Sequence, residues 1–410
     1  MTIQQIHSFA AGHWVAPDSG ARAIASAITG DVIAEAGNSS LDTGAMLSYA
    51  RDVGGPALRA LTFHDRARML KALAAYLNER KQELYDISFD TGATQSDTAI
   101  DVDGGIGTMF VFASKGRREF PDAQVYVDGD VEQLSRGGSF LGQHICTPLQ
   151  GVAVHINAFN FPVWGMLEKL APAILGGVPV IVKPATATCY VTAACVRMML
   201  ESGILPAGSV QLVSGGLGDM LDHLGAQDVV GFTGSADTAL MLRGNGNLMR
   251  NSVRFMAEQD SLNASILGPD AGPGTPEFDL FVKEAHREMT AKAGQKCTAI
   301  RRMIVPNDRV QDVINAMSAR LDKTVIGDPA AEGTRMGALA SLDQKRDVLE
   351  KAAEIGTECE LAYGDQASMQ LNGEGLDNGA FVSPMLFHCK NPDTATIVHS
   401  TEAFGPVATV

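Results

Sequence analysis

No two of the six cysteines, at positions 146, 189, 195, 297, 359 and 389, stand in C-x-x-C spacing. That scatter argues against a zinc ribbon or a disulfide framework and fits a reducing cytoplasm. The nine histidines form no H-E-x-x-H or comparable ligand pair, so no metal is expected. Basic charge is scarce: 32 Lys and Arg face 47 Asp and Glu, for a net charge of −15. So acidic a chain has no field to neutralise nucleic-acid phosphates, although a small anionic ligand needs only a local pocket. Long apolar runs are missing too. The longest, from Leu170 to Val182, is 13 residues and ends at Lys183, too short to cross a bilayer. The start, Met1-Thr-Ile-Gln-Gln-Ile-His7, has neither the basic nor the apolar region of a secretory signal.

What is present is a chain of 410 residues, 45% apolar and 19% charged. This is the balance of a globular protein with a large core, and the length suits two to three domains at about 150 residues each. Residues 64–90 read as a helix, with Ala67, Leu70, Leu73, Leu77 and Leu84 near a 3.6-residue period. Asp101-Val-Asp103-Gly104 reads as a plain turn, since it lacks the other oxygens of a calcium loop. Val125-Tyr-Val, a turn at Asp128-Gly129, and the stretch Gly142–Val154 suggest a hairpin.

The clearest block follows. Strand-like segments at 151–156, 178–182, 210–213 and 229–232 alternate with helix-like segments at 162–175, 187–201, a short one ending near 224, and one from Ser235. Such alternation implies parallel βαβ units with right-handed crossovers. Ligands of parallel sheets lie beyond the carboxyl ends of the strands. The candidate loops are therefore 155–162, 183–188, 214–219 and 233–238. The last residues, Phe404-Gly-Pro-Val-Ala-Thr-Val410, read as a loop entering a new strand, so an incomplete second domain is expected.

Cys297 follows Gly294-Gln-Lys and is trailed by Arg301 and Arg302. A thiolate is a strong nucleophile, favoured by nearby positive charge or oriented backbone N–H groups. Asn157-Ala-Phe-Asn160-Phe-Pro162, Lys183-Pro-Ala185, Phe232-Thr-Gly234-Ser235, Glu258, Gly294-Gln-Lys-Cys297 and Glu402-Ala-Phe404-Gly-Pro406 occur in that order. In this set the chain resembles the NAD(P)-dependent aldehyde dehydrogenases over its whole length.

The resemblance implies an α/β fold, with a Rossmann-like parallel-sheet cofactor domain over 1–255 and a second α/β catalytic domain over 256–410. A hairpin over about 122–150 would project for oligomerisation, giving a homodimer or a multiple of it. The stretch His155–Pro172 most resembles the dehydrogenase half of the bifunctional ring-opening enzymes of phenylacetate degradation. It is also similar to the semialdehyde dehydrogenases of benzoyl-CoA degradation. Both imply a CoA-linked aliphatic semialdehyde as substrate.

The resemblance also implies roles. Cys297 would be the nucleophile, Asn160 would donate its amide to the developing oxyanion, and Glu258 would activate the water that hydrolyses the thioester. The usual Leu-Gly-Gly after that glutamate is Gln259-Asp260-Ser261 here, so Asp260 is a rival carboxylate. An acylating enzyme, in which CoA attacks the thioester, is the second reading; Glu258 favours water. A catalytically silent binding module is the third.

Phe159, Lys183, Thr186, Gly215, Gly234, Ser235, Glu402 and Phe404 would hold the cofactor. By itself Gly215-Gly-Leu-Gly218 reads as a turn. Gly234-Ser235 opens a helix whose N–H groups suit a pyrophosphate. Thr186 stands where NAD-specific relatives often place a glutamate. A neutral threonine beside Lys183 does not repel a 2′-phosphate, so NADP is expected over NAD.

Overall fold

The computed structural model describes residues 3–18, 20–37 and 40–410; Met1 and Thr2 of the N-terminal segment lie outside it. Its largest sheet has seven strands, in the order Arg254–Glu258, Val229–Thr233, Ala153–Ile156, Val180–Lys183, Val210–Leu212, Ser8–Ala10 and His13–Val15. The first five run parallel, and the N-terminal pair joins antiparallel. All five parallel strands therefore present their carboxyl ends along one edge. The boundary expected between 255 and 256 falls inside the strand Arg254–Glu258, which is paired along its length to Val229–Thr233.

The inner strands Ala153–Ile156, Val180–Lys183 and Val210–Leu212 are almost wholly buried because both faces of the sheet are covered there. Val180 and Val182 pack with Leu70, Leu167, Ile174 and Met199 on one side. Ile181, one residue out of step, packs with Met46, Leu47, Val154 and Val230 on the other. The expected helix over 64–90 is found as Phe63–Ser88, opened by a capping box between Thr62 and Asp65.

Its neighbour, Gln95–Arg118, corrects the turn read at 101–104. Gly104 and Gly105 lie inside this helix because a Cβ there would meet Trp164, at 2.7 Å from its ring and 2.9 Å from its Cα. The glycines let the helix lie against Trp164–Leu175. Asp101 is buried in that contact and accepts the N–H groups of Val163 and Trp164, the latter at 2.7 Å. It thereby caps the start of the second helix.

The second sheet has five strands, in the order Asn263–Ile266, Ile300–Ile304, Val407–Thr409, Met385–His388 and Glu360–Tyr363. The helices Pro276–Thr290 and Val310–Leu321 pack on one side of it, around Phe278, Phe281, Met303 and Met317. Leu342–Ile355 contributes Val348 and Ala352 to a separate cluster with Phe387 and Val407.

The hairpin is present as Tyr126–Gln133 against Leu141–Cys146, with its turn at 134–140. Asp128-Gly129 is not the turn. It lies within the first strand where the register shifts, and Gly129, at φ 78°, supplies the left-handed residue that a bulge accommodates. Val127, Val131, Phe140, Leu141 and Ile145 are all exposed on this ribbon.

Candidate active site

The helix Pro276–Thr290 ends in a reversal of unusual hand. Lys292, Ala293 and Gly294 have φ values of 56°, 50° and 69°. Successive left-handed residues are costly for all but glycine, so the surrounding structure must hold them. It does so on several sides. The Lys292 N–H donates to Asp97 at 2.8 Å, and its ammonium lies 5.7 Å from the Phe161 ring centre. Gly294 packs directly on the Gly405 carbonyl, where a Cβ would come within 2.2 Å. The Gln295 amide donates back to the Lys292 carbonyl and accepts the Ala340 N–H.

This reversal delivers Cys297 to the surface. Its carbonyl is gripped by the Ser261 hydroxyl at 2.8 Å and the Asn263 amide at 2.6 Å. Its neighbours are gripped as well. Glu288, buried on the Pro276–Thr290 helix, accepts from the Lys296 ammonium at 2.7 Å and the Thr298 hydroxyl at 3.2 Å. One carboxylate thus fixes the residues on both sides of the cysteine. Burial raises the thiol pKa, and the Glu258 carboxylate raises it further through its charge and a hydrogen bond. Glu168 adds negative charge in the same direction.

The structure brings together most of the residues expected from the sequence. Asn160, buried, donates its side-chain amide to the Gln295 carbonyl at 3.0 Å, two residues before Cys297. Its second amide hydrogen is free for another acceptor. Phe159 meets Phe404 edge to face at 5.9 Å. Glu402 accepts from the Ser261 N–H at 3.0 Å and from Arg301 at 3.2 Å. Burial raises the Glu402 pKa, and Arg301 opposes that rise.

Asp260 is directed elsewhere: it accepts the Ala236 N–H at 3.0 Å, at the start of the helix Ala236–Arg243. That helix entrance is therefore not the open set of donors expected at Gly234-Ser235. The Ser235 hydroxyl is itself the cap for Thr238, and the Gly234 N–H donates to the Glu258 carbonyl at 3.1 Å. Lys183 is the last residue of its strand, and Thr186 and Gly215 follow the ends of that strand and its neighbour, so all three stand at the carboxyl edge of the sheet. Burial lowers the Lys183 pKa.

Arg301 has a larger part than the sequence suggested. It lies under the Phe404 ring and donates to the carbonyls of Gly405 at 2.7 Å and Gly294 at 2.9 Å. It therefore ties the cysteine loop to the Glu402–Phe404 loop. Glu288 was likewise missed; on an amphipathic helix its charge looks like one more solvated position.

Both side-chain polar atoms of Asn157 and the hydroxyl of Thr233 are buried without a partner. They stand at the carboxyl ends of adjacent parallel strands, where a polar ligand lying across the edge would pair them. This edge fits a dinucleotide. A separate cleft of about 690 Å³, lined by Tyr363, Asp365, Asn372 and Ser383 among others, contains none of these residues. Among the described residues no cluster of candidate metal ligands occurs, and no helix is long and apolar enough to cross a membrane.

The model of the aldehyde dehydrogenase family matches residues 14–410. A 3,4-dehydroadipyl-CoA semialdehyde dehydrogenase from Aromatoleum evansii is 43% identical over 99% of this chain and 79% of its own length. An alpha-ketoglutaric semialdehyde dehydrogenase from Bacillus subtilis is 28% identical, over 98% of this chain and 79% of that one. Betaine aldehyde dehydrogenase from Staphylococcus aureus, solved in complex with NAD+, matches the fold with a TM-score of 0.82 at 24% identity, over 99% of this chain and 78% of that one. Solved relatives of this fold bind NAD or NADP. The match takes in the five parallel strands of the first sheet, the whole second sheet and the cysteine loop: the chain belongs to the aldehyde dehydrogenase family and is an oxidoreductase acting on aldehydes.

Proposed function

We propose that this chain oxidises a CoA-linked aliphatic semialdehyde to the carboxylic acid, with NADP as the preferred cofactor. The observation that carries the mechanism is the meeting of Cys297, Glu258 and Asn160 on one loop system. Glu258 takes the thiol proton, and the Cys297 sulfur attacks the aldehyde carbon. The free amide hydrogen of Asn160 and the Cys297 N–H face the oxygen as it gains charge. A dinucleotide bound along the carboxyl edge by Lys183, Thr186, Glu402 and Phe404 supplies the hydride acceptor. Glu258 then activates water against the thioester left on Cys297. Replacing Glu258 with Gln should give a single burst of reduced cofactor followed by a stall; normal turnover would remove Glu258 as the base.

The 43% identity to a 3,4-dehydroadipyl-CoA semialdehyde dehydrogenase supports the CoA-linked substrate and the aromatic-degradation setting. The resemblance of His155–Pro172 supports the phenylacetate-type semialdehyde instead. Comparing kcat/KM for both CoA-linked semialdehydes and a free aldehyde of similar length decides among them. Equal values for linked and free aldehydes would remove the CoA reading.

The preference for NADP rests on Lys183, which ends its strand, and Thr186, which opens the short turn after it. A glutamate about 4 Å from a phosphate charge would cost roughly 4 kcal/mol per pair at a dielectric near 20. Thr186→Glu should therefore weaken NADP far more than NAD. The exposed apolar ribbon at 126–146 supports assembly as a homodimer or a multiple of it.

A further inference from the structure

Two cysteines outside this chemistry face one another. The strands Glu360–Tyr363 and Met385–His388 run antiparallel, with Glu360 opposite His388 and Leu361 opposite Phe387. One step along that register, Cys359 stands opposite Cys389. The Cys389 N–H donates to the Val410 carbonyl on the far side of its strand, and the Cys359 N–H donates to Ile355 at the end of a helix. The two residues thus exchange no backbone hydrogen bonds. Facing Cα atoms at such positions approach to about 4.5 Å, inside the roughly 4.4–6.8 Å that a disulfide spans. Both side chains belong to one apolar cluster, Cys359 buried within it and Cys389 half-buried against it. After burial, the neighbouring Cys389 thiol is the next cause that holds the Cys359 thiol pKa up.

We propose that Cys359 and Cys389 are a modification site that closes to a reversible disulfide on meeting a peroxide. Cys389, the more accessible, attacks one peroxide oxygen. The O–O bond breaks, and hydroxide leaves with the thiol proton as water. The resulting sulfenic acid loses its hydroxyl when the Cys359 sulfur attacks Cys389; the S–S bond forms and a second water departs. Two thiols are oxidised by two electrons, and hydrogen peroxide is reduced to two waters. Burial pushes the Cys359 thiol up to about 12, which suits the resolving partner better than the attacking one.

The position gives the bond a reach beyond its own sheet. The segment leaving Cys389 carries Glu402 and Phe404 before it returns as Val407–Thr409. Glu358, next to Cys359, accepts the Thr396 and Ile397 N–H groups of that segment at 2.8 Å. A disulfide adds a covalent tie at the root of the same segment.

The test treats the full chain carrying Cys297→Ser, so that the nucleophile does not compete, with hydrogen peroxide. Free thiols are then blocked with iodoacetamide. Cleavage before Asp365 and Asp377 separates the two cysteines for mass mapping. The expected product is a linked pair of peptides, lighter by two hydrogens than their sum. It should be abolished by dithiothreitol and by Cys389→Ser. Finding both cysteines alkylated while the exposed Cys146 is oxidised would overturn the proposal. So would sulfenic or higher acids on Cys389 beside a free Cys359, or a link between copies.

Discussion

Glu288 holds a charge that would otherwise act on the nucleophile. The Lys296 ammonium adjoins Cys297 in sequence, and the Glu288 carboxylate neutralises it at 2.7 Å. Glu258 and Glu168 oppose thiolate formation. Replacing Glu288 with Gln keeps an acceptor for Thr298 and unmasks Lys296. Cys297 should then react with iodoacetamide about threefold faster at neutral pH, the effect of half a unit in thiol acidity. An unchanged rate together with lowered turnover would show that Glu288 acts through shape alone.

Two buried groups make opposite contributions at acid pH. His155, beside Lys169 and deeply buried, is held down to about 3. Its contribution to stability is complete above pH 6.5 and is lost as pH falls toward 3. Burial raises Asp101 to about 6, against the pull of Lys292. Its contribution is complete below pH 3.8 and is lost as pH rises through 6. Between pH 6.5 and 4, Asp101→Asn should steepen the fall in Tm on acidification, and His155→Gln should flatten it. Shifts of the same sign in both variants would contradict these assignments.

Among the elements, the βαβ block from 151 to 243 was legible because its strands are continuous apolar runs punctuated by turn residues. The helix Gln95–Arg118 was not, because Gly104, Gly105, Gly107 and Gly116 are poor helix formers and read as breaks. Tertiary packing outweighs that propensity. The cysteine loop was legible as a motif, but its backbone hand was not, since Lys292 and Ala293 are residues that avoid positive φ. Nor could Arg301 or Asn157 be weighted, because their importance lies in contacts across sequence. An alanine at Gly105 would press its methyl on the Trp164 backbone, which cannot swing aside as a side chain could. Gly105→Ala should destabilise by about 1–3 kcal/mol, read as a lower Tm.

For the whole molecule, the ribbon Tyr126–Gln133 with Leu141–Cys146 has two free edges and an apolar exposed surface. A two-stranded hairpin is marginal alone in water, so an assembled partner is its expected support. Charging it with Phe140→Asp and Ile145→Asp should shift the protein toward monomer in sedimentation, with the α/β core still folded. An unchanged assembly would place the interface elsewhere.

The Gly234 N–H donates to the Glu258 carbonyl, one rung beyond the pairing of Thr233 with Glu258. The loop expected to meet the dinucleotide and the carboxylate expected to move protons thus share a backbone rung, and neither can shift without loading the other. Linkage then works in both directions. Any preference that a nucleotide has for one placement of this rung must return, equal in free energy, as a preference of the acylated or unacylated enzyme for that nucleotide.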